Sequence, residues 1–547
     1  MLNKNTQHLV LLIAILLVLN LLSGSFYKRF DLTQDKRYTL SKVSKSLLDK
    51  IEKPLLIKVY LKGELPPEFK RLQIETRQFL DQLKAHNKHV SFKIIKPNNT
   101  EKLIKKGLLP SQLSIEENGK LSKIIIFPWA TISYSNKTEL VSLLPDTSFK
   151  TQNAQLQHAV EKLEYSFANA LSAVLNTDKQ KIAVLKGNGQ LKDTYLYSIL
   201  SSLKSKYKLA KFNLDSAELK PRETLHKLNQ YNLIFIAKPT EQFTEKEKLV
   251  LDQFTTNGGN SIWMIDNNYS DTDSLYKEGK MMAFPRNLNL TDLLFSYQIR
   301  INNKLVQDLN SAKIPLATGN IGNQTQYQHL NWFYYPLVSG NPNHPITQNI
   351  APVRFQFSTQ IDLLKGGIKK TPLLVSSKLS KKVGTPTFIQ LSSIAKKIEK
   401  KQYTGKPELL GVLLEGKFTS AYKNRVKPFK LTNFSSDKKQ SKMIVIADGD
   451  LAKNDLLKGK PFDLSKDKWS GEHYGNKDFL INAIDYMLGN TELVNLRNKT
   501  LQIKLINKQK AYTEKRYWQL YNTTLPLGFL LIFALVFTYY RKRKYTV

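Results

Sequence analysis

Asp266, Asp448 and Asp450 each follow an apolar run with the length and composition of a buried strand. Ile262 to Ile265 precedes the first, and Met443 to Ala447 precedes the other two. Gly187-Asn188-Gly189 follows a third such run, Ile182 to Leu185, and Lys238-Pro239-Thr240 follows a fourth, Leu233 to Ala237. In an open parallel sheet, ligands bind beyond the carboxyl ends of the strands. The candidate ligand-binding positions are therefore Gly187, Asn188, Gly189, Asp266, Asp448 and Asp450. Two carboxylates at a suitable separation could serve as acid and base on a carbohydrate or peptide. Gly, Asn and Asp are equally the ordinary residues of tight turns and helix caps, and the residue types alone leave both readings open.

Other chemistries find little support. The chain has no cysteine, which removes thiolate nucleophiles, cysteine metal sites and disulfides together. Its eight histidines are scattered without H-E-x-x-H or paired spacing, so neither a metal nor another cofactor is expected. Gly411 to Phe418, GVLLEGKF, nearly matches a phosphate loop. Phe418 stands where a magnesium-binding hydroxyl should be, and Val412 to Leu414 is an apolar strand. Glu472-His473-Tyr474-Gly475 is a polar cluster that could line a site or brace a loop.

The elements that would carry these residues alternate. A small α/β unit, residues 28–148, begins with a strand at Leu55 to Leu61 and an amphipathic helix at Glu68 to Ala85. A helix from Gln155 to Leu175 connects it, within 149–178, to a larger α/β domain at 179–500. There, apolar strands alternate with helices, and Phe243-Thr244-Glu245 starts a helix that Asn257-Gly258-Gly259 ends in a left-handed cap. This rhythm predicts a mainly parallel sheet covered on both faces. Residues 314–362 read as long ordered loops or an insertion, and Ser376 to Thr404 as a basic crossover.

Two apolar runs frame everything else. Leu9 to Leu22, within a span at 8–27, and Leu525 to Tyr540, within a span at 523–540, are each long enough for a membrane helix. Ser23 and Ser25 leave cleavage of the first as a signal peptide open. Arg541, Lys542, Arg543 and Lys544 follow the second, and such a cluster is usually retained in the cytoplasm. Both tails, 1–7 and 541–547, are then cytoplasmic, and the bulk up to the juxtamembrane segment 501–522 is translocated across an inner membrane. The net charge of +38 would suit a polyanion. That topology argues against nucleic acid and leaves a solvated basic surface, anionic lipid headgroups or acidic polymers.

Eight segments together resemble the GldG family of gliding-motility-associated ABC-transporter components. They are RFDLTQDKRYTLS from Arg29, LKGELPPEFKRL from Leu61, IFPWA from Ile126, NGG with IWMID from Asn257 to Asp266, LNLTDLLFSYQIRINNKLVQDL from Leu288, LLEGKFTSAYKNR from Leu413, IADGDLAKN from Ile446 and YGNKDFLINAIDYML from Tyr474. The resemblance implies a non-catalytic extracytoplasmic subunit, working with a separate ABC ATPase and a separate membrane permease in gliding or associated secretion. It also implies a central domain similar to one of intraflagellar transport proteins, with an amidotransferase-like layout. Where relatives tend to read G-H-G-E, this chain has Gly187-Asn188-Gly189-Gln190, which lacks the imidazole and the carboxylate. The alternatives are an enzyme acting on envelope carbohydrate or peptide, and a scaffold that binds anionic envelope polymers.

Overall fold

The computed structural model describes residues 12–16, 18, 39–117, 120–144, 152–176, 178–322, 324–395, 399–403, 406–437, 439–499 and 508–545. Most of the expected span at 8–27 lies outside them; residues 12–16 and 18 are helical and exposed. The described chain divides into two compact units, 1–500 and 501–547.

In the first unit, helix Lys42–Asp49 starts where the Ser41 side chain accepts from the Ser44 amide, satisfying one of the amides a helix start leaves open. Strands Val90–Ile94, Leu55–Val59, Trp129–Tyr134 and Lys137–Ser142 form a four-stranded sheet in that order, parallel only in its first pair. Helix Pro67–His86 and helix Leu163–Leu175 bury Leu72, Leu80, Leu83, Phe167 and Leu171 against it. The continuous helix expected from Gln155 to Leu175 is two helices, Gln152–Glu161 and Leu163–Leu175, interrupted at Lys162.

The larger sheet runs Ser311–Ile321, Gln324–Gly340, Lys369–Val375, Leu409–Lys417, Gln440–Ile446, Asn260–Met264, Leu233–Ala237, Lys181–Lys186, Lys208–Asn213. From Gln440–Ile446 onward, neighbouring strands are parallel. Alternate residues feed opposite cores. Leu185, Ile236, Trp263 and Val445 meet helix Glu245–Thr256 on one face. Val184, Phe235, Met264 and Ile444 meet helices Asp193–Leu203 and Asn476–Met487 on the other.

The expectation of a mainly parallel sheet is corrected here, because the other half of the sheet is antiparallel. Parallel neighbours need a long crossover, usually helical. Between Leu409–Lys417 and Gln440–Ile446 the described residues form no helix, and the chain returns antiparallel. Residues 314–362 are not mainly loops either. Strands Ser311–Ile321 and Gln324–Gly340 make a long hairpin whose Ala312, Ile314, Trp332 and Tyr334 join a core of their own. Its outer strand, which carries Lys313 and Pro315, is one edge of the sheet. The near-match to a phosphate loop is strand Leu409–Lys417, its backbone in the ladder and Phe418 fully buried.

The second unit holds helix Lys515–Tyr545, 31 residues long. Among the described residues it is the one helix long and apolar enough to cross a membrane. At 1.5 Å per residue it extends roughly 46 Å, enough for the hydrocarbon core and both headgroup layers. Leu525, Leu530, Ile532 and Phe533 are exposed along it. Tyr517, Trp518 and Tyr521 pack ring against ring below the apolar stretch, and Arg541 to Lys544 stand above it. Aromatic rings and cations favour those two levels of a bilayer.

Candidate functional site

Three central strands deliver their next residues to one place. Met264 lies between Ala237 and Ile446 in the ladder, so Lys238, Asp266 and Asp448 emerge side by side at the carboxyl edge. Lys238 adopts a left-handed backbone, φ +52°, a conformation uncommon outside glycine. Its ammonium hydrogen-bonds Asp450 and lies 3.2 Å from Asp266 Oδ2. Asp266 Oδ1 accepts from the Gly449 amide at 2.5 Å. Asp448 caps the short 3₁₀ helix Gly449–Ala452, accepting from the Asp450 amide at 2.7 Å, and its other oxygen takes the Gln356 amide at 2.6 Å. Lys453 approaches Asp450 Oδ1 at 3.6 Å.

The electrostatics follow from burial. Asp266, Asp448 and Asp450 are 5%, 0% and 6% exposed. Desolvation disfavours the Lys238 ammonium, but Asp450 and Asp266 outweigh it and raise its pKa above the ordinary lysine value. Burial, with Asp266 and Asp450 alongside, pushes Asp448 well above the usual carboxylate range. Burial also raises Asp266, against the pull of Lys238. Burial would raise Asp450 too, yet Lys238 and Lys453 bring it below its ordinary value. A buried charge persists only when paired, and here the pairing is internal. The three aspartates come together as the strand ends predict, but none presents a free carboxylate to solvent.

Gly187-Asn188-Gly189 forms a second polar knot that meets the loop after Lys238. The Thr240 amide donates to Asn188 O at 2.9 Å, and Thr240 Oγ1 donates to Gly189 O at 3.0 Å. Asn188 Nδ2 donates to Glu247 Oε2 at 3.0 Å, and Gln190 Nε2 donates to Asn188 Oδ1 at 3.2 Å. Glu247 also closes the capping box of its helix with Thr244. Burial raises the Glu247 carboxyl. These groups brace the turn against helix Glu245–Thr256. Gly189 sits at φ +68°, and a Cβ there would fall 2.0 Å from Thr240 Oγ1. Gly189→Ala should therefore cost about 1–2 kcal/mol through backbone strain and the broken Thr240 bond. A denaturant titration checks this, and an unchanged midpoint would show the turn to be freely adjustable.

Glu472-His473-Tyr474-Gly475 braces a loop. The Tyr474 ring lies 5.1 Å beneath the Arg354 guanidinium, which hydrogen-bonds Asp467 at 2.8 Å. The residue that sequence reasoning passed over is Lys238. Its segment stood among the four strand ends, but its charge was not matched to the aspartates. The signal was available: one cation beside three acids, all expected at a single buried edge.

Fold and site define a mixed α/β protein in which a lysine pairs with two strand-end carboxylates, with, among the described residues, one helix long and apolar enough to span a membrane. A family model described as an ABC-type uncharacterized transport system matches residues 179–483. The chain belongs to that family of transport auxiliary domains. A second model, a domain of unknown function (DUF7088), matches residues 34–133. An uncharacterized protein of Borreliella burgdorferi is 24% identical over 450 residues, 80% of this chain and 78% of that one. Among solved structures, the mmIFT52 N-terminal domain superposes with a TM-score of 0.33 at 14% identity, over 57% of this chain and 98% of that one. A ThuA-like protein of Parabacteroides merdae reaches 0.28 at 9% identity, over 60% and 94%. Family membership associates the chain with ABC-type transport and points to a supporting role beside a transporter rather than to catalysis.

Proposed function

We propose that the protein is a non-catalytic extracytoplasmic subunit of an ABC-type transporter, held in the inner membrane by two spans with both termini cytoplasmic. A separate ATPase and a separate permease supply energy and passage, and the α/β domain docks those partners or a substrate. The family match over residues 179–483 carries this reading. The apolar helix ending in Arg541 to Lys544 supports the orientation, since basic flanks stay on the cytoplasmic side. The resemblance to GldG favours gliding or an associated secretion as the process served. The aspartates at the strand ends act as a structural clasp in this reading, because Lys238 and backbone amides occupy them.

Purification of the intact protein from native membranes, with identification of bound subunits, tests the proposal. An ATPase and a permease should co-purify, and a periplasm-dependent reporter inserted at Asn260 should be active. Recovery of the protein without either subunit, or reporter activity confined to the cytosol, would refute it.

A further inference from the structure

The amino ends of the five parallel strands carry charge of one sign. Lys181 lies opposite Lys208 in the ladder, Ile182 and Asn260 are both opposite Leu233, and Ser261 is opposite Met443. This register sets Lys208, Lys181 and Asn232 level, and Asn260 and Lys442 one residue further along their strands, in a staggered row. Asn232 Oδ1 accepts from the Lys181 amide, and Asn260 Oδ1 from the Lys442 amide, each at 2.9 Å. At the usual strand spacing the row is roughly 19 Å long.

Two open cavities flank it, of about 800 and 790 Å³, and they meet at one segment: Gln180 lines the first, Lys179 and Lys181 the second. Arg222, Lys439 and Lys442 line the first cavity, and among the described residues no carboxylate does; Lys442 lies 3.9 Å from Glu415 Oε1 on the neighbouring strand. Five lysines line the second, against the single acid Asp178. The Arg222 Nε donates to Lys430 O at 2.6 Å, and among the described residues its terminal nitrogens have no protein partner. The side-chain amides of Asn229, Asn257 and Asn433 are likewise free among the described residues. Lys204, at the end of helix Asp193–Leu203, is accounted for by the negative end of that helix. Lys181, Lys208 and Lys439, at strand starts and in a loop, have no such explanation.

We propose that this row is a binding groove for an acidic polysaccharide, whose carboxylates meet the cations and whose hydroxyls meet the amides. A row of this length suits an extended chain better than a compact small molecule. A single-stranded nucleic acid would want a run of exposed aromatic faces, and Tyr197 at one end is the exposed ring here. The choice of a polysaccharide also rests on the extracytoplasmic orientation proposed above.

The test uses the full-length protein in lipid nanodiscs and a fluorescent oligogalacturonate, with neutral dextran and single-stranded DNA of similar length as comparisons. A groove variant, Lys181→Gln with Lys208→Gln and Lys439→Gln, is set against a variant of equal charge change elsewhere, Lys277→Gln with Lys365→Gln and Lys378→Gln. The groove variant should bind oligogalacturonate about 10-fold more weakly and with a shallower salt dependence, while the other stays within about 2-fold of the parent. Equal weakening in both variants would overturn the proposal in favour of the general basic field. So would failure to bind oligogalacturonate at low salt, or tighter binding of DNA. DNA preference would count against the orientation as well, whereas absence of transporter subunits from a pull-down leaves the groove untouched.

Discussion

Lys238→Met should destabilise the larger α/β domain by about 3–5 kcal/mol, the range for removing one partner of a buried ion pair. Methionine keeps the volume and removes the charge. Asp450 would lose its hydrogen bond and Asp266 its ion pair, both nearly inaccessible to water. The Gly449, Asp450 and Gln356 amides would still hold Asp266 and Asp448 in place, so the penalty arises from unpaired charge and not from lost packing. Denaturant unfolding of the intact protein in detergent measures it. Adding Asp450→Asn to Lys238→Met should recover part of the loss, because it removes one of the stranded charges. A change below about 1 kcal/mol for Lys238→Met would mean that the aspartates take up protons without cost.

Acidification is the second large effect. Burial, reinforced by the nearby Lys162, lowers His158 from 6.5 to about 4; Asp478 opposes the shift, while His473 and Arg497 add to it. Glu161 lies 3.9 Å away, too far for a hydrogen bond. Between these two values the unfolded chain binds a proton that the folded chain refuses, so stability rises with pH there. Read downward, stability is intact above about 6.5 and is lost as pH falls toward 4, by up to about 3 kcal/mol. His158→Gln should flatten that part of the stability profile. An unchanged slope between pH 6.5 and 4 in the variant would assign the loss to other groups.

Much of this fold could be read from local pattern. Helix Glu245–Thr256 starts after Thr244, as the segment Phe243-Thr244-Glu245 suggests, and Gly258 follows its end at φ +94°. Four of the five parallel strands are short apolar runs, because both of their faces are buried; the edge strand Lys208–Asn213 is mixed and partly exposed. The hairpin Ser311 to Gly340 escaped notice for the opposite reason. Asn, Gln, Gly and Pro interrupt its apolar positions, and residues such as Ala312 and Trp332 become core only once the two strands pair. Strand direction was equally hidden, since the run Leu409 to Leu414 looks the same whichever way its neighbour points. The site was half visible. Strand ends gave Asp266, Asp448 and Asp450, but nothing local said that Lys238 would turn inward through a left-handed backbone to pair with Asp266 and Asp450.

Pro315 and Lys313 sit on the outermost strand of the hairpin. Proline contributes no amide proton, and a lysine would have to shed its water beside any newcomer. One molecule therefore makes a poor template for the next. Even crowded at high local concentration, copies of this protein should resist growing into a continuous ribbon along that margin.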